Sequence, residues 1–190
     1  MDLIYTLYND ARTVFRLKDV AMLTGETSFS SLNMKLNYYV RTGRLQNPRK
    51  GLYCKPNYNQ QELACRIFAP AYISLEYVLQ QAGVIFQYDS RLTAISYLSR
   101  DVEIGNKIFS FRKIKNDLLV SQQGVEQRGN IMTIAIPERA FLDMLYLNGA
   151  MYFDNLNPLK IELIEQMLPI YNSQILTKRV QKLFKNDGFK

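Results

Sequence analysis

The order of helical and extended patterns in the first sixty residues limits the fold most strongly. Apolar residues at helical spacing predict one helix over residues 2–11 and another over residues 18–24, with a short strand at residues 14–16 between them. A third helix is predicted from about residue 29 to residue 42. Two extended segments on either side of a tight turn follow over residues 44–54. Three helices followed by a hairpin are typical of a winged helix-turn-helix domain.

The third predicted helix carries side chains that suit a recognition helix. Thr27 or Ser28 can accept hydrogen bonds from its free N-terminal N–H groups. At helical spacing its apolar side consists of Phe29, Leu32, Leu36, Tyr39 and Val40. Its opposite side contains no acidic residue and consists of Ser30, Ser31, Met34, Lys35, Asn37, Tyr38 and Arg41. Hydroxyl, amide and cationic side chains of this kind contact base edges and phosphates in the major groove of DNA.

Positive charge is concentrated in the same region. The chain has 24 Lys and Arg residues against 17 Asp and Glu residues, a formal net charge of +7. Residues 1–60 hold nine basic and four acidic residues and so contribute +5, and no acidic residue lies between Thr27 and Gln61. A phosphate backbone attracts such a surface whatever the base sequence. A solvated basic face would carry the same charge, so the prediction of DNA binding depends on the elements beneath it.

The predicted hairpin adds cations beside the third helix. Leu45, Leu52 and Cys54 are expected to face a core, while Pro48-Arg49-Lys50-Gly51 forms the turn. A wing of this kind contacts the DNA backbone or the minor groove. The predicted DNA-binding residues are therefore Ser30, Ser31, Met34, Lys35, Asn37, Tyr38, Arg41, Arg44, Arg49 and Lys50. The alternative is a winged helix that binds a protein instead of DNA.

The residue types that the sequence lacks exclude several kinds of active site. It contains no histidine, which removes Ser-His-Asp triads, Cys-His pairs and histidine-containing metal sites. Cys54 and Cys65 cannot form a four-ligand zinc site and are expected to be small core residues. We recognise no phosphate-binding glycine motif, secretory signal or membrane-spanning apolar run. We therefore expect a soluble cytoplasmic protein that is not an enzyme and uses no metal or cofactor.

A metal-dependent nuclease is the best enzymatic alternative. Its candidate residues are Asp89, Asp101, Glu103 and Lys107. Such a nuclease needs an acidic residue and a lysine two positions apart on one strand, whereas a predicted Gly105-Asn106 turn separates Glu103 from Lys107. Chance carboxylates in a β-rich region explain these residues better.

The sequence predicts two domains, a winged helix at residues 1–57 and a C-terminal mixed α+β domain at residues 58–190. The second is expected to consist of antiparallel β-hairpins flanked by helices. Its strands are predicted at residues 84–88, 93–98, 102–104, 107–114 and 131–136.

The helices of the second domain have local signals of their own. Ser74 is expected to cap one helix, and Pro137 to begin another in which Arg139 and Asp143 pair at i, i+4. The last helix carries four basic residues on its outer side, Lys178, Arg179, Lys182 and Lys185. These could contact phosphate or a membrane surface, although a solvated basic face is the simpler interpretation.

Several segments, in this order, resemble the AbiEi family of antitoxins and related regulators of viral defence. They are Phe15–Gly25, Arg49–Tyr53, Tyr72–Glu76, Ala82–Ile85 and Ile136–Asp143, so the resemblance covers most of the chain up to about residue 156. The last segment is similar to the family's TPERALLDLL motif, with Ile136 in place of threonine and Phe141 in place of leucine.

The resemblance implies a specific function. An N-terminal winged helix would repress the protein's own operon by binding repeats in the promoter. The C-terminal domain would counteract a co-expressed nucleotidyltransferase toxin in a type IV toxin–antitoxin system that aborts phage infection. Antitoxins of this family are thought to act without a stable toxin complex, so the expected partners are double-stranded DNA and a toxin that is not assumed to bind directly.

Overall fold

The computed structural model describes residues 2–129 and 132–185 and has a mixed α+β fold, as the sequence predicts. Its helices are α1 (Leu3–Asn9), α2 (Leu17–Thr24), α3 (Phe29–Arg41), α4 (Gln60–Ile67), α5 (Glu76–Gln81), α6 (Asn116–Val120), α7 (Pro137–Asn148), α8 (Ile161–Met167) and α9 (Gln174–Leu183), with a 3₁₀ turn at Leu168–Tyr171. Within the described residues, no helix is both long enough and apolar enough to cross a membrane.

The strands form two separate sheets. They are β1 (Val14–Arg16), β2 (Gln46–Arg49), β3 (Leu52–Cys54), β4 (Ala71–Ile73), β5 (Leu92–Ser96), β6 (Arg100–Ile104), β7 (Lys107–Lys113), β8 (Val125–Arg128) and β9 (Met132–Ala135). The smaller sheet has the order β1-β3-β2, and the larger has the order β6-β7-β5-β4-β9-β8. β9 corresponds to the strand predicted at residues 131–136, and Ile131 lies outside the described residues.

The first three helices and the smaller sheet enclose one apolar core. Leu7, Phe15, Val20, Leu32 and Leu36 are fully buried in it, and they come from four different elements. Both pairings in this sheet are antiparallel, with β3 in the middle. Each helix and strand predicted in residues 2–54 is therefore present.

The hairpin differs from its prediction at the turn. β2 continues through Pro48 and Arg49, so the turn itself is only Lys50-Gly51. The register of β2 against β3 shifts between Gln46 and Arg49. This irregularity accommodates Pro48, which has no N–H group to donate to a regular ladder.

The larger sheet is mixed, which corrects the prediction of antiparallel hairpins alone. β6 and β7 form a hairpin with the predicted Gly105-Asn106 turn, and β8 and β9 form a second hairpin. However, β7 runs parallel to β5, and β9 runs parallel to β4. The chain leaves β5 for the edge strand β6 and returns with β7 beside β5, so two successive reversals make β5 and β7 parallel.

The strand predicted at residues 84–88 is absent, and that prediction is wrong. The segment is irregular, and the Val84 carbonyl accepts a hydrogen bond from the backbone N–H of Asp154 at 3.1 Å. Phe86 and Tyr88 are 68% and 86% exposed. Val84 itself is fully buried, so the apolar residues of this segment do not share one buried face.

Ser74 does not cap α5, which is a second correction. The helix begins at Glu76 and is preceded by Leu75, whose φ is +62°. Ser74 is fully buried, and its hydroxyl donates to Asp143 Oδ2 at 2.9 Å. A serine before an apolar helical pattern has the same sequence signature whether its hydroxyl caps the helix or turns into the core.

A buried carboxylate joins the smaller sheet to the rest of the molecule. Glu62 on α4 is fully buried and accepts hydrogen bonds from the backbone N–H groups of Thr13 and Val14 at 2.8 and 3.0 Å. The Thr13 hydroxyl donates to the same carboxylate at 2.6 Å. Val14 and Cys54 pack into the core of the larger sheet. The smaller sheet is therefore anchored on α4 by polar and apolar contacts.

Gly124 is a position where an added methyl group is expected to destabilise the fold. Its φ is +69°, and a Cβ there would overlap Met167 Sδ and lie 2.8 Å from Cβ of Arg139. Left-handed strain and overpacking together predict that Gly124→Ala lowers the free energy of unfolding by about 2–4 kcal/mol.

Gly105→Ala is the matched control for this substitution. Gly105 has a φ of +60° but no atom within 4 Å of its added Cβ, so only left-handed strain of about 1–2 kcal/mol is expected. Urea denaturation of both variants measures the difference, and equal losses would contradict the role of packing around Gly124.

Candidate nucleic-acid interface

The outer side of α3 is a continuous exposed stripe of side chains. Ser30, Met34, Asn37, Tyr38 and Arg41 are all exposed, and each lies three or four residues from another member of the set. Met34 is 68% exposed and Tyr38 is 54% exposed. The structure thus brings five of the predicted residues together on one surface, the α3 face.

Packing beneath α3 fixes the orientation of this face. Leu32 and Leu36 are fully buried on the opposite side, whereas Phe29, predicted to lie with them, is 54% exposed at the first position of the helix. The hydroxyl of Tyr53 on β3 donates to Asn33 Oδ1 at 2.6 Å and ties α3 to the smaller sheet. Sequence reasoning missed Asn33, because a lone amide on a helix gives no sign of a partner twenty residues away.

Ser31 and Lys35 lie on the flank of the α3 face. Ser31 is half-buried, and its N–H donates to the capping hydroxyl of Ser28 at 3.3 Å. Lys35 Nζ lies 2.9 Å from Glu26 Oε2, and the hydrogen bond from Lys35 lowers the pKa of the Glu26 carboxyl. Glu26, in the turn before α3, therefore places a carboxylate beside Lys35, although α3 itself has no acidic residue. Exposed pairs of this kind stabilise a fold little, so Lys35 can exchange Glu26 for a phosphate.

The hairpin directs its cations in two directions. Lys50 is exposed at the turn, and Arg44 is exposed just before β2. The guanidinium of Arg49 instead lies 4.9 Å from the centre of the Phe68 ring, at the end of α4. This cation–π contact holds Arg49 away from the tip and against the second part of the chain.

The other concentration of polar side chains is completely buried, on α7 and its neighbours. Arg139 Nε lies 3.1 Å from Asp143 Oδ1, and both side chains are 0% exposed. Asp143 also accepts hydrogen bonds from the hydroxyls of Tyr72, Ser74 and Tyr171, at 3.0, 2.9 and 2.6 Å. Desolvation raises the pKa of the Asp143 carboxyl, and Arg139 and the three hydroxyl donors oppose that shift. We call these five residues the buried network.

Main-chain carbonyl groups complete the buried network. Arg139 donates to the carbonyls of Gln123 and Leu118, each at 2.8 Å, and to the Tyr72 hydroxyl at 2.8 Å. Among the described residues, no buried side-chain polar atom lacks a hydrogen-bond partner. Because its donors and acceptors are satisfied internally, the buried network is suited to holding α7 against β4 and the 3₁₀ turn.

The buried network shows the structural role of the charged residues in the segment that is similar to the TPERALLDLL motif. The segment Ile136–Asp143 supplies both charged members of the buried network. It also supplies Glu138, whose buried carboxylate accepts the N–H of Lys160 just before α8, at 3.0 Å. The charged residues of this segment therefore pack the core of the larger sheet and do not form an exposed site.

The carboxylates considered for a nuclease do not converge on one point. Asp89 pairs with Arg91 at 2.6 Å, and Asp101 accepts the Ser110 hydroxyl at 2.7 Å. Glu103 is exposed on the edge strand β6. Over residues 2–129 and 132–185, no three His, Cys, Asp or Glu side chains are grouped closely enough to hold a metal ion.

Cys54 and Cys65 are buried core residues, as predicted. Desolvation raises the pKa of the Cys54 thiol from the ordinary 9.0 to about 12, and it raises the pKa of Cys65 as well. The reactive thiolate of Cys54 at pH 8 is therefore about a thousandfold scarcer than in the unfolded chain.

We expect the folded protein to react with Ellman's reagent at pH 8 at least about 100-fold more slowly than the protein in urea. The variant Ile175→Cys is the control, because Ile175 is 64% exposed on α9 and a thiol there should react at once. Comparable rates for the native protein and this variant would contradict the burial of Cys54 and Cys65.

Comparison with protein-family models finds no match to this sequence, and comparison with curated proteins finds no significant match. Evidence for function therefore comes from the chemistry and exposure of the α3 face and the hairpin.

Proposed function

We propose that this protein binds double-stranded DNA through an N-terminal winged helix, with α3 as the recognition helix and the β2–β3 hairpin as the wing. The observation that carries this proposal is the composition of the α3 face, where Met34 and Tyr38 stand in solvent beside the cation of Arg41. A helix surface that serves only solubility mixes acidic and basic residues and exposes few large apolar groups. Hydroxyl, amide and guanidinium groups are instead the ones that contact bases and phosphates.

The dimensions of α3 support this proposal. Its 13 residues span about 20 Å at about 1.5 Å per residue. The major groove of B-DNA is about 12 Å wide and admits one α-helix. Lys50, exposed at the turn of the hairpin, and Arg44, exposed just before β2, are available to contact phosphates.

Fluorescence anisotropy with labelled duplexes tests the proposal. The full chain is titrated into a duplex from the region upstream of its own reading frame and into an unrelated duplex of equal length. Affinity for both should fall as salt rises, by about 0.9 in log K per phosphate contact for each tenfold increase. The upstream duplex should bind more tightly. Absence of binding to either duplex at about 50 mM salt would contradict the proposal.

The resemblance to the AbiEi antitoxins supports a narrower form of the proposal. In that form the protein represses its own operon and counteracts a nucleotidyltransferase toxin encoded beside it, without an assumed complex between the two. This form predicts a nucleotidyltransferase reading frame beside the gene. Co-expression of this protein should restore the growth of cells that the nucleotidyltransferase inhibits, and a promoter reporter should be repressed. Repression without growth rescue would remove the antitoxin role and leave the DNA-binding role in place.

Binding of a protein partner is the second candidate function. The exposed side chains of Phe29, Met34 and Tyr38 favour it, because aromatic residues and methionine are enriched at protein interfaces. This candidate predicts a stable complex on co-purification and no salt-dependent affinity for DNA. Substitution of Tyr38 by alanine would then weaken the protein complex.

A further inference from the structure

Five cationic side chains surround one pocket where the hairpin, α2 and α4 meet. They are Arg16, Lys18, Arg49, Lys50 and Arg66, and the pocket has a volume of about 350 Å³. These residues come from three separate parts of the chain, so the pocket is a product of the fold. Asp19 lies beside it and contacts Arg66 Nη1 at 3.4 Å.

Local contacts hold Arg16, Arg49 and Arg66 in place, and the contacts of Arg16 and Arg49 do not neutralise their charges. Arg16 Nη2 donates to the carbonyl of Arg66 at 2.7 Å, and Arg49 lies over an aromatic ring whose centre is 4.9 Å away. A guanidinium has five N–H donors, so these contacts leave donors for an anion. Lys18 and Lys50 are exposed at the rim and can turn their ammonium groups toward the same anion.

We propose that this basic pocket binds a phosphate group. Five cations near one carboxylate repel one another, and a bound oxyanion relieves that repulsion. Guanidinium groups match the geometry of phosphate oxygens, so the three arginines favour this ligand class over a simple halide ion.

Two sources of phosphate share this chemistry, the DNA backbone and a small phosphorylated molecule. The claim that the phosphate belongs to the DNA backbone rests on the proposed function. The claim that the pocket binds a phosphate group does not. A backbone phosphate held here would extend the DNA contact from the hairpin onto α4. Because Arg66 belongs to α4, that phosphate would contact both the hairpin and α4.

Isothermal titration of the full chain with pyrophosphate, at constant ionic strength, tests the proposal. The native protein should bind pyrophosphate, and the Lys18→Gln/Arg66→Gln variant should bind at least about tenfold more weakly. Lys18→Gln alone removes only an exposed side chain and should also bind pyrophosphate more weakly. It therefore gives a measurable result if the double variant does not fold. The matched control is Lys160→Gln/Lys178→Gln. Failure of the native protein to bind pyrophosphate, or an equal loss in the control, would overturn the proposal.

A labelled duplex then separates the two sources. Displacement of pyrophosphate by the duplex, with a salt slope reduced by about 2 in Lys18→Gln/Arg66→Gln, identifies the DNA backbone. Bound pyrophosphate that the duplex does not displace identifies a small phosphorylated molecule, and both outcomes support the pocket. Arg41→Ala lies outside the pocket and should weaken duplex binding alone. Unchanged duplex affinity in Arg41→Ala, with pyrophosphate still bound, would contradict the proposed function and leave the phosphate site intact.

Discussion

Replacing Asp143 by alanine is expected to lower the free energy of unfolding by about 3–5 kcal/mol, the range for removing one partner of a buried ion pair. The substitution leaves the Arg139 guanidinium charged in the core and removes the acceptor of three buried hydroxyls. Domains commonly have net stabilities of about 5–15 kcal/mol, so this variant should be close to the limit of folding. Urea denaturation followed by circular dichroism measures the change.

An exposed ion pair provides the control for this prediction. Glu126 and Arg128 pair at 3.4 Å, with side chains that are 54% and 57% exposed. Glu126→Ala should change stability by less than about 1 kcal/mol. Tyr171→Phe, which removes one hydroxyl from the buried network, should cost about 1–3 kcal/mol and gives a measurable variant if Asp143→Ala does not fold. Equal stability of the Asp143 and Glu126 variants would contradict the structural role of the buried network.

The second large effect is expected on DNA binding. Replacing Lys35, Arg41, Arg49 and Lys50 together by alanine should weaken binding to the upstream duplex by more than about 100-fold, since one specific arginine contact alone contributes about 1–3 kcal/mol. The salt dependence should flatten as well, because each lost phosphate contact removes about 0.9 from the slope. Anisotropy titrations at several salt concentrations measure both quantities.

A charge-matched variant separates local contacts from overall charge. Replacing four lysines that are exposed elsewhere, Lys113, Lys115, Lys160 and Lys178, also lowers the formal net charge from +7 by four, to +3. This variant should retain most of its affinity. Equal losses in the two variants would mean that overall charge, and not the α3 face with the hairpin, attracts DNA.

The elements of the first sixty residues could be predicted because their signals are local. The period of α3 places Met34, Tyr38 and Arg41 on one side without any knowledge of the fold. The cap at Ser28 and the left-handed Gly25 after α2 likewise depend only on neighbouring residues. Contacts with a distant segment cannot be predicted in this way. Arg49, for example, lies against Phe68 at the end of α4 and does not extend into solvent.

The larger sheet and the buried network depend on contacts between distant residues. The i, i+4 spacing reveals the Arg139–Asp143 pair, but Tyr72 and Ser74 lie 71 and 69 residues away from Asp143. Nothing local shows that the pair is buried. Alternating residues also indicate strands without fixing their neighbours, so the parallel pairing of β5 with β7 was beyond prediction. The basic pocket was missed for the same reason, since α4 supplies Arg66 across the fold.

Site-specific photocrosslinking from the α3 face tests the central claim most directly. Cys54 and Cys65 are buried, so a cysteine introduced as Met34→Cys can be modified selectively with a photoreactive group. Ile175→Cys, modified in the same way, reports on the exposed side of α9. We predict that the modified Met34→Cys protein crosslinks to the upstream duplex on irradiation and that the modified Ile175→Cys protein does not. A crosslink from position 175 together with none from position 34 would contradict the assignment of α3 as the recognition helix.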